Sequence, residues 1–311
     1  MMRRNALGHL ISRTEAPNLK TIGNILNALF NTVAALYLLS SLYMLVMRVV
    51  APEAVPLGYT GLYNSLLPPL LVPAFLLLLL GVLLRRWLIV AGSLPIVAAF
   101  AVWYGPLLIT ASPQTPTEDE QVISLMTYNA LTFAQPIEGI VGVIEAGNAD
   151  IVALQEFADP TGAAVLEALE EAYPHQLRVS DQALISRLPL DEGAMIDTYN
   201  RSRTADALYA VADVNGTALN VVVFHPPPPG VWTLLDGYDG SRRTTAYNEL
   251  LLVLSDLSGP TVVLGDFNAT DRSVDYWRVR EAGYSDTYYD VGTGLGHTFP
   301  QAYELDPRIQ E

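Results

Sequence analysis

Three long apolar stretches in the first third of the chain limit its folding more than any other sequence feature. They lie at residues 22–47, 62–84 and 87–110, and each has about the 20 residues that a helix needs to cross the hydrocarbon core of a bilayer. The segment LLVPAFLLLLLGVLL, residues 70–84, has no polar face at helical spacing, unlike the surface helix of a soluble protein. We therefore predict three transmembrane helices within residues 21–111.

The charges around these stretches predict their orientation. Four basic residues precede the first stretch, and Arg85 and Arg86 separate the second from the third. Because basic residues concentrate on the cytoplasmic side of membrane proteins, residues 1–20 are expected to be cytoplasmic. Three crossings then place the rest of the chain outside the cell. A cleavable signal peptide fits less well, since the first stretch is too long and two more follow it. The prediction is a multi-pass protein of the cell membrane.

The remainder of the chain has a different composition. Residues 112–120, SPQTPTEDE, are rich in proline and acidic residues and predict a linker. Residues 113–311 contain ten arginines and no lysine against thirty acidic residues. Proteins that bind nucleic acid usually carry a basic surface, so this charge disfavours a nonspecific nuclease. The absence of cysteine excludes disulfide bonds.

Alternating strand and helix patterns predict an α/β domain over residues 121–311. Strands are expected at VISLMTY (122–128), ADIVALQEF, QALISRLPL and VVLGDFN, and helices at residues 136–147, 161–172 and 243–257. Two further apolar runs meet at Asn215–Gly216, which predicts a β-hairpin with a type I′ turn. The second run of this hairpin ends at His225, which four prolines follow.

Polar side chains recur where the predicted strands end. They are Asn129, Glu156, His225, Asp266 and Asn268. Ligands of open α/β sheets bind outside the carboxyl ends of the strands, so residues on separate strands form a candidate site. Carboxylate and amide oxygens suit a hard cation such as Mg²⁺. A histidine and a carboxamide beside that cation could support the attack of water on a phosphate ester.

Each of these residues also has a structural interpretation. Gly265, Asp266 and Asn268 are common in turns, so GDFN could be a plain strand-to-turn junction, and Asn129 could cap a turn. His225 could be a structural hydrogen-bonding group. Three other histidines, His9, His175 and His297, are interpreted as surface or structural residues.

The ordered motifs TYNA, ALQEF, a strand ending in FH, and LGDFNAT resemble the endonuclease/exonuclease/phosphatase superfamily over about residues 120–311. The segment HPPPPGVW and the three preceding apolar stretches resemble its bacterial membrane-anchored branch, which includes a phosphoesterase associated with glycopeptide resistance. The resemblance implies a four-layer sandwich, in which two mixed β-sheets are stacked face to face and flanked by helices.

The resemblance also implies roles for the candidate residues. Glu156 would be the main ligand of a divalent metal, Mg²⁺ or Mn²⁺, with Asn129 close beside it. Asp266 would orient or deprotonate the attacking water, and Asn268 would hold a phosphate oxygen. His225 would stabilise the transition state or protonate the leaving group. Ser186–Arg187 resembles a family turn that helps to position substrate, although a role in the fold is equally compatible with the sequence.

The end of the printed sequence departs from the family pattern. Family members end with an Arg-Ile-Asp-type strand and a Ser-Asp-His signature, whereas this sequence stops at LDPRIQE, residues 305–311. The expectation is a C-terminally truncated catalytic domain, and a chain without the second histidine is expected to have impaired activity.

Three functions remain open from the sequence. The first is a membrane-anchored, metal-dependent phosphoesterase that acts outside the cell on a phosphate or pyrophosphate linked to a lipid. The second is an extracytoplasmic nuclease similar to a DNase, and the third is a non-catalytic membrane scaffold that kept the fold. The lipid bilayer is the expected partner, nucleic acid fits less well, and no protein partner can be inferred.

Overall fold

The computed structural model describes residues 18–50, 61, 63–64, 66–109, 116–117, 120–132, 134–191, 194–196, 207–231, 238–296 and 298. The chain divides into two compact units. One comprises Met1–Val50 and Pro68–Trp103, and the other comprises Ala51–Leu67 and Tyr104–Glu311. His9, His297 and the terminal segment LDPRIQE lie outside the described residues.

The apolar N-terminal third forms helices. Within the described residues, α1 (Leu19–Val50) and α4 (Trp87–Tyr104) are long and apolar enough to cross a membrane, whereas the apolar run Leu67–Leu83 is shorter. Val72, between the two helical segments of the second predicted span, is itself in helical conformation, with φ −56° and ψ −42°. The helix of the third predicted span ends at Tyr104. The three transmembrane helices stay a prediction. Prolines lack the amide hydrogen of a regular helix, and three of them lie in or beside the short run. The helices are α1 Leu19–Val50, α2 Leu67–Leu71, α3 Pro73–Leu83 and α4 Trp87–Tyr104.

Helices α1 and α4 run parallel to each other. The Arg86 guanidinium, just before α4, donates hydrogen bonds to the amide oxygens of Asn27 and Asn31 in the first half of α1. At the other end, the Arg48 guanidinium lies 4.9 Å from the centre of the Trp103 ring. The starts of the two helices therefore lie at one end of this unit, and their ends lie together at the other.

The second unit contains two four-stranded mixed sheets. In the first, the strand order is β1-β2-β4-β3. Strands β1 and β2 are parallel, and the other pairs are antiparallel. Strand β2 is apolar and fully buried, which is typical of a strand covered on both faces. The elements are β1 Leu125–Asn129, α5 Ile137–Gly147, β2 Ile151–Gln155, α6 Thr161–Leu169, β3 His175–Val179 and β4 Gln182–Ser186.

The second sheet repeats this pattern with the order β10-β7-β6-β5. Strands β7 and β10 are parallel and are joined through α7, whereas β6 pairs antiparallel with both β5 and β7. A short ribbon of β8 and β9 lies between β7 and α7 in the chain. The elements are β5 Ala194–Ile196, β6 Ala207–Val214, β7 Thr217–Phe224, β8 Gly230–Val231, β9 Tyr238–Asp239, α7 Ser241–Asp256, β10 Thr261–Gly265, α8 Val274–Glu281 and α9 Thr287–Val291.

Three apolar clusters define four layers. The central cluster joins the inner faces of the two sheets through side chains such as Leu184 and Val221. A second cluster packs α5 and α6 on the first sheet, with Ile140 and Ile144 at the i, i+4 spacing of one helix face. A third packs α7 on the second sheet through Leu250. The predicted four-layer sandwich of two mixed sheets between helices is confirmed.

Most predicted elements of this unit have the expected type with shifted ends. The first strand begins at Leu125 rather than at residue 122 and includes Asn129 as its last residue. The hairpin turn is at Asn215 and Gly216, and both have positive φ, 52° and 88°, as a type I′ turn requires. The strands β3, β5, β8 and β9 and the helices α8 and α9 were not predicted.

Candidate metal centre

Strand register brings the predicted polar residues to one end of the two sheets. In the first sheet, Asn129 pairs with Gln155, so Glu156 follows directly at the end of β2. In the second sheet, Phe224 pairs with Gly265, so His225 and Asp266 follow the ends of neighbouring strands. Each parallel pair therefore supplies two polar side chains at its carboxyl end.

Asn129 connects the two sheets. Its side-chain Nδ2 donates hydrogen bonds to Glu156 Oε1 at 2.9 Å and to Asp266 Oδ2 at 3.0 Å. Its Oδ1 accepts a hydrogen bond from the backbone N–H of Leu131 at 3.2 Å. In this orientation the amide holds the two carboxylates in position, and its role as a metal ligand stays a prediction.

Three titratable side chains converge beside this amide. One ligand atom from each of Glu156, His225 and Asp266 lies within 4.8 Å of the other two, and all three residues are partly buried. Two carboxylates this close repel each other unless a positive charge lies between or beside them. The donor set therefore fits a hard divalent cation. Carboxylate oxygens bind such an ion, and this small set of protein ligands leaves room around it for water and phosphate oxygens.

His225 lies between acidic side chains of both sheets. Its Nε2 is 4.0 Å from Glu156 Oε1, and its Nδ1 is 3.8 Å from Asp181 Oδ2. Burial alone would lower the pKa of His225, but the charges of Asp181, Asp266 and Glu156 outweigh burial and raise it above its ordinary value. Burial likewise opposes ionisation of Asp181, and the nearby imidazole more than offsets it, so the pKa of Asp181 is lowered. The pair therefore favours a charged imidazolium.

Asn268 closes a tight turn directly after the second sheet. Its backbone N–H donates to Asp266 Oδ1 at 3.0 Å, and its φ is 47°, a conformation that asparagine tolerates better than most residues. Its Nδ2 donates to the carbonyl oxygen of Pro226 at 2.8 Å. This bond joins the GDFN turn to the residue after His225, so the proline segment helps to fix the histidine.

Gly265 allows the close approach of β10 and β7 at the site. Its φ is +152°, and a Cβ built there would lie 1.8 Å from the carbonyl oxygen of Phe224. Only glycine fits this backbone conformation and distance. The glycine of GDFN is therefore required for Asp266 to lie beside His225.

Helix α7 supports the site from behind. Arg243 Nη1 donates to the carbonyl oxygen of Asn268 at 2.8 Å, and Tyr247 Oη, one turn later, donates to that of Phe267 at 2.9 Å. Arg243 is buried, and its Nε donates to Asp275 Oδ2 at 3.0 Å. These bonds hold the turn between Asp266 and Asn268 from the side of the helix layer.

The structure brings all five predicted site residues together. It does not bring Ser186–Arg187 to them, because Ser186 pairs with Ile151 at the opposite end of β2. Arg187 there donates to the side chain and backbone carbonyl of Asn148, which is a role in the fold. His175 lies in β3, opposite Ser186 in the register and thus at this same far end.

Three further side chains of the site, Asp181, Arg243 and Tyr247, were not predicted from the sequence. Asp181 lies in the turn between β3 and β4, and β3 was not predicted. Arg243 and Tyr247 were identifiable as an i, i+4 pair on the helix before GDFN, but the pattern does not say what that face contacts.

Fold and site together define an α/β sandwich with an acidic centre where its two sheets meet. A family model, the Endonuclease/Exonuclease/phosphatase family, matches residues 126–308. The match includes more than half of the chain, and the chain belongs to this family. The predicted superfamily is thus confirmed. No curated protein sequence matches the chain.

Solved structures of low sequence identity are also similar. A double mutant of beta toxin from Staphylococcus aureus with bound magnesium ions has 15% identity and a TM-score of 0.43, covering 51% of this chain and 69% of that one. Sphingomyelinase C from Streptomyces griseocarneus has 19% identity and a TM-score of 0.43, with 52% and 69% covered. D. rerio TDP2 complexed with a single-strand DNA product has 17% identity and a TM-score of 0.42, with 53% and 66% covered.

Proposed function

We propose that this protein is a membrane-anchored, divalent-metal-dependent phosphoesterase whose catalytic unit lies outside the cell. The observation that carries the proposal is the convergence of Glu156, His225 and Asp266 within 4.8 Å at the carboxyl ends of strands from both sheets. Membership of the family supports phosphoester chemistry at this place.

A divalent ion, Mg²⁺ or Mn²⁺, would be held by Glu156 with Asn129 beside it, and it would supply positive charge to a phosphate oxygen. The chain itself contributes the geometry. The Asn129 amide, bonded to both Glu156 and Asp266, keeps the two carboxylates apart and oriented before substrate binds.

Asp266 is the base that orients and deprotonates water. One of its oxygens accepts from Asn129 and the other from the backbone N–H of Asn268. These two bonds fix the plane of the carboxylate, which leaves its remaining lone pairs to accept a proton from water. A base fixed in this way typically contributes about 10²–10⁴-fold to the rate.

His225 donates a hydrogen bond to the phosphate oxygens or a proton to the leaving group. Asp181 on the Nδ1 side, 3.8 Å away, favours the protonated ring and sets its orientation. The Nε2 side, 4.0 Å from Glu156, is the side nearest the other site residues. The Asn268 amide donates one hydrogen to the Pro226 carbonyl, and its second hydrogen would hold a phosphate oxygen.

The proposed substrate class is a phosphate or pyrophosphate linked to a lipid. Two observations support it: the long apolar helices α1 and α4, and a domain with ten arginines and no lysine against thirty acidic residues. This acidic surface opposes binding to a polyanion such as DNA. The alternatives are an extracytoplasmic nuclease, which family membership leaves open, and a scaffold that has lost catalysis.

One comparison of substrates tests this proposal. The protein in detergent with Mg²⁺ is expected to release phosphate from a polyprenyl pyrophosphate, at a reduced rate if the second histidine is absent, and to leave plasmid DNA uncut. Asp266→Asn should remove this activity, because an amide cannot accept the proton. Plasmid cleavage that is lost in Asp266→Asn would favour the nuclease. Activity on neither substrate, with metal still bound, would favour the scaffold.

A further inference from the structure

The segment that follows the last apolar helix is built into the catalytic unit. Tyr104, the last residue of α4, is buried, and the Arg272 guanidinium lies 5.0 Å from the centre of its ring. Leu107 is also buried, and its carbonyl oxygen accepts a hydrogen bond from the backbone N–H of Gly294 at 2.6 Å. Tyr104 and Leu107 are therefore packed against residues of the second unit.

A second segment next to the apolar helices packs at the same place. Asn64, just before α2, is buried, and its carbonyl oxygen accepts a hydrogen bond from Thr270 Oγ1 at 3.5 Å. Thr270 is two residues after Asn268 and two before Arg272. The loop that leaves the metal centre thus contacts the residues that lead into α2 and those that leave α4.

Apolar side chains are exposed beside these contacts. Leu108 is 58% exposed and Ile109 is 73% exposed, directly after Leu107. Tyr288 and Val291, which are 44% and 55% exposed, lie three residues apart on α9 and so share a face of that helix. The Tyr288 hydroxyl donates to the carbonyl oxygen of Thr293 at 2.6 Å, next to Gly294. We call Leu108, Ile109, Tyr288 and Val291 the exit patch.

Chain connectivity limits how far the exit patch can lie from the end of α4. Ile109 is five residues from Tyr104, so even an extended chain keeps it within about 18 Å of the end of α4. The helical turn Pro106–Leu108 shortens this distance further. If α4 spans the bilayer, these residues lie at the level of the lipid headgroups. An aromatic ring with a polar hydroxyl, such as Tyr288, is typical of that level.

We infer that the exit patch rests in the headgroup region of the bilayer and holds the loop after Asn268 beside the membrane surface. This inference rests on the proposed function and deepens it, because the site would then take phosphoesters that are carried in the bilayer. Apolar contact supplies the attraction. The domain after residue 112 has no lysine and a large excess of acidic residues, which disfavours electrostatic attraction to anionic lipids.

Single-cysteine labelling tests the contact, because the chain has no cysteine of its own. Val291→Cys reports on the exit patch, and Leu252→Cys is the control, since Leu252 is 61% exposed on α7. Each full-length variant carries a bimane label in phosphatidylcholine nanodiscs. Lipids with a nitroxide near the headgroup are expected to quench the label at 291 at least twice as strongly as the label at 252. Equal quenching at the two positions would overturn the inference.

Quenching by aqueous iodide distinguishes a label that faces water from one that is covered by protein. A label at 291 that neither lipid nitroxide nor iodide quenches would be covered by protein, for example by a second copy of the chain, and that result also overturns the inference. The quenching readout requires no catalysis. Absence of phosphoester hydrolysis would therefore contradict the proposed function while leaving the membrane contact measurable.

Activity provides a second, independent readout. Ile109→Ser together with Val291→Ser changes two exposed side chains outside the metal centre. Loss of their apolar burial is expected to lower hydrolysis of a phosphoester carried in vesicles about tenfold. Hydrolysis of soluble bis(p-nitrophenyl) phosphate should not change. An equal loss on both substrates, or a loss on neither, would contradict the inference.

Discussion

The side chains at the candidate metal centre form a network in which each carboxylate has a partner. Asp266 accepts hydrogen bonds from Asn129 and from the backbone of Asn268, and Glu156 accepts one from Asn129. His225 adds a positive charge when protonated. Neutral donors and one titratable ring thus hold an acidic cluster together, and a divalent cation would complete the balance of charge.

Asp181 is predicted to set the pKa of His225. In metal-free protein, Asp181→Asn removes one of the charges that raise this pKa, so the pKa of His225 should fall while burial continues to lower it. NMR titration of the imidazole measures the change, with His175 as an internal reference. An unchanged pKa of His225 would show that Asp181 does not act on the ring.

The same pair gives a pH dependence of stability. The folded pKa of His225 lies above its ordinary value, so the protonated ring stabilises the fold below the ordinary pKa. This contribution is lost as pH rises through the folded pKa. The difference in unfolding free energy between wild type and Asp181→Asn should therefore be largest at low pH, where Asp181 is still ionised, and should shrink at alkaline pH.

The sequence predicts the five site residues better than it predicts the side chains that contact them. Each of the five follows or ends an apolar run, so the local sequence pattern identifies them: Asn129, Glu156, His225, Asp266 and Asn268. The partner of His225 lies in a two-residue turn between strands β3 and β4, and only their pairing in the folded sheet brings Asp181 close.

The close approach of β7 and β10 at Gly265 positions His225 and Asp266. Gly265→Ala places a Cβ 1.8 Å from the Phe224 carbonyl oxygen, so the strands must separate. We expect a loss of about 2–4 kcal/mol in the free energy of unfolding, measured by urea unfolding in detergent. Gly283→Ala is the matched control, because Gly283 also has positive φ but open space around it. It should cost about 1–2 kcal/mol, and equal losses would contradict the argument.

Helix α7 is predicted to hold the GDFN turn through a buried ion pair. Arg243→Ala removes the bond to the Asn268 carbonyl and the 3.0 Å ion pair with the buried Asp275, which keeps Thr244 Oγ1 at 3.1 Å and Arg278 Nη1 at 3.9 Å. The expected cost is at most about 3–5 kcal/mol, the cost of an uncompensated buried charge, with a fall in kcat. Arg280→Ala breaks the partly exposed pair with Asp290 and should cost less than about 1 kcal/mol. Similar losses in the two variants, by thermal unfolding, would refute this role for Arg243.

A helix or strand can be predicted from sequence when the burial of its side chains produces a regular apolar pattern. Strand β2 and the hairpin around Asn215–Gly216 were predicted because a fully buried strand is apolar and a type I′ turn demands particular residues. Strand β3, HQLRV, has no apolar run and alternates over only four residues, with Leu177 and Val179 packed on the central cluster, so its pattern is at the short limit of what predicts a strand.

The parallel arrangement of α1 and α4 predicts how the whole molecule would be oriented in a membrane. The basic residues near Lys20 and Arg86 lie at one end of the helical unit, since Arg86 binds Asn27 and Asn31. If these helices cross a membrane, the positive-inside tendency predicts that the chain after Tyr104 lies outside the cell. An alkaline-phosphatase fusion after Thr117 should be active, and one after Arg86 should be inactive. The reverse pattern would contradict this orientation.

The central claim is that the residues around Glu156 form a metal-dependent phosphoesterase centre, and metal binding by calorimetry tests it most directly. Mg²⁺ or Mn²⁺ should bind the wild-type protein, and Glu156→Gln should weaken that binding at least tenfold without changing thermal unfolding of the metal-free protein. The matched control is Glu171→Gln, an exposed carboxylate after α6, which should bind as wild type does. Unchanged metal affinity in Glu156→Gln would contradict the account.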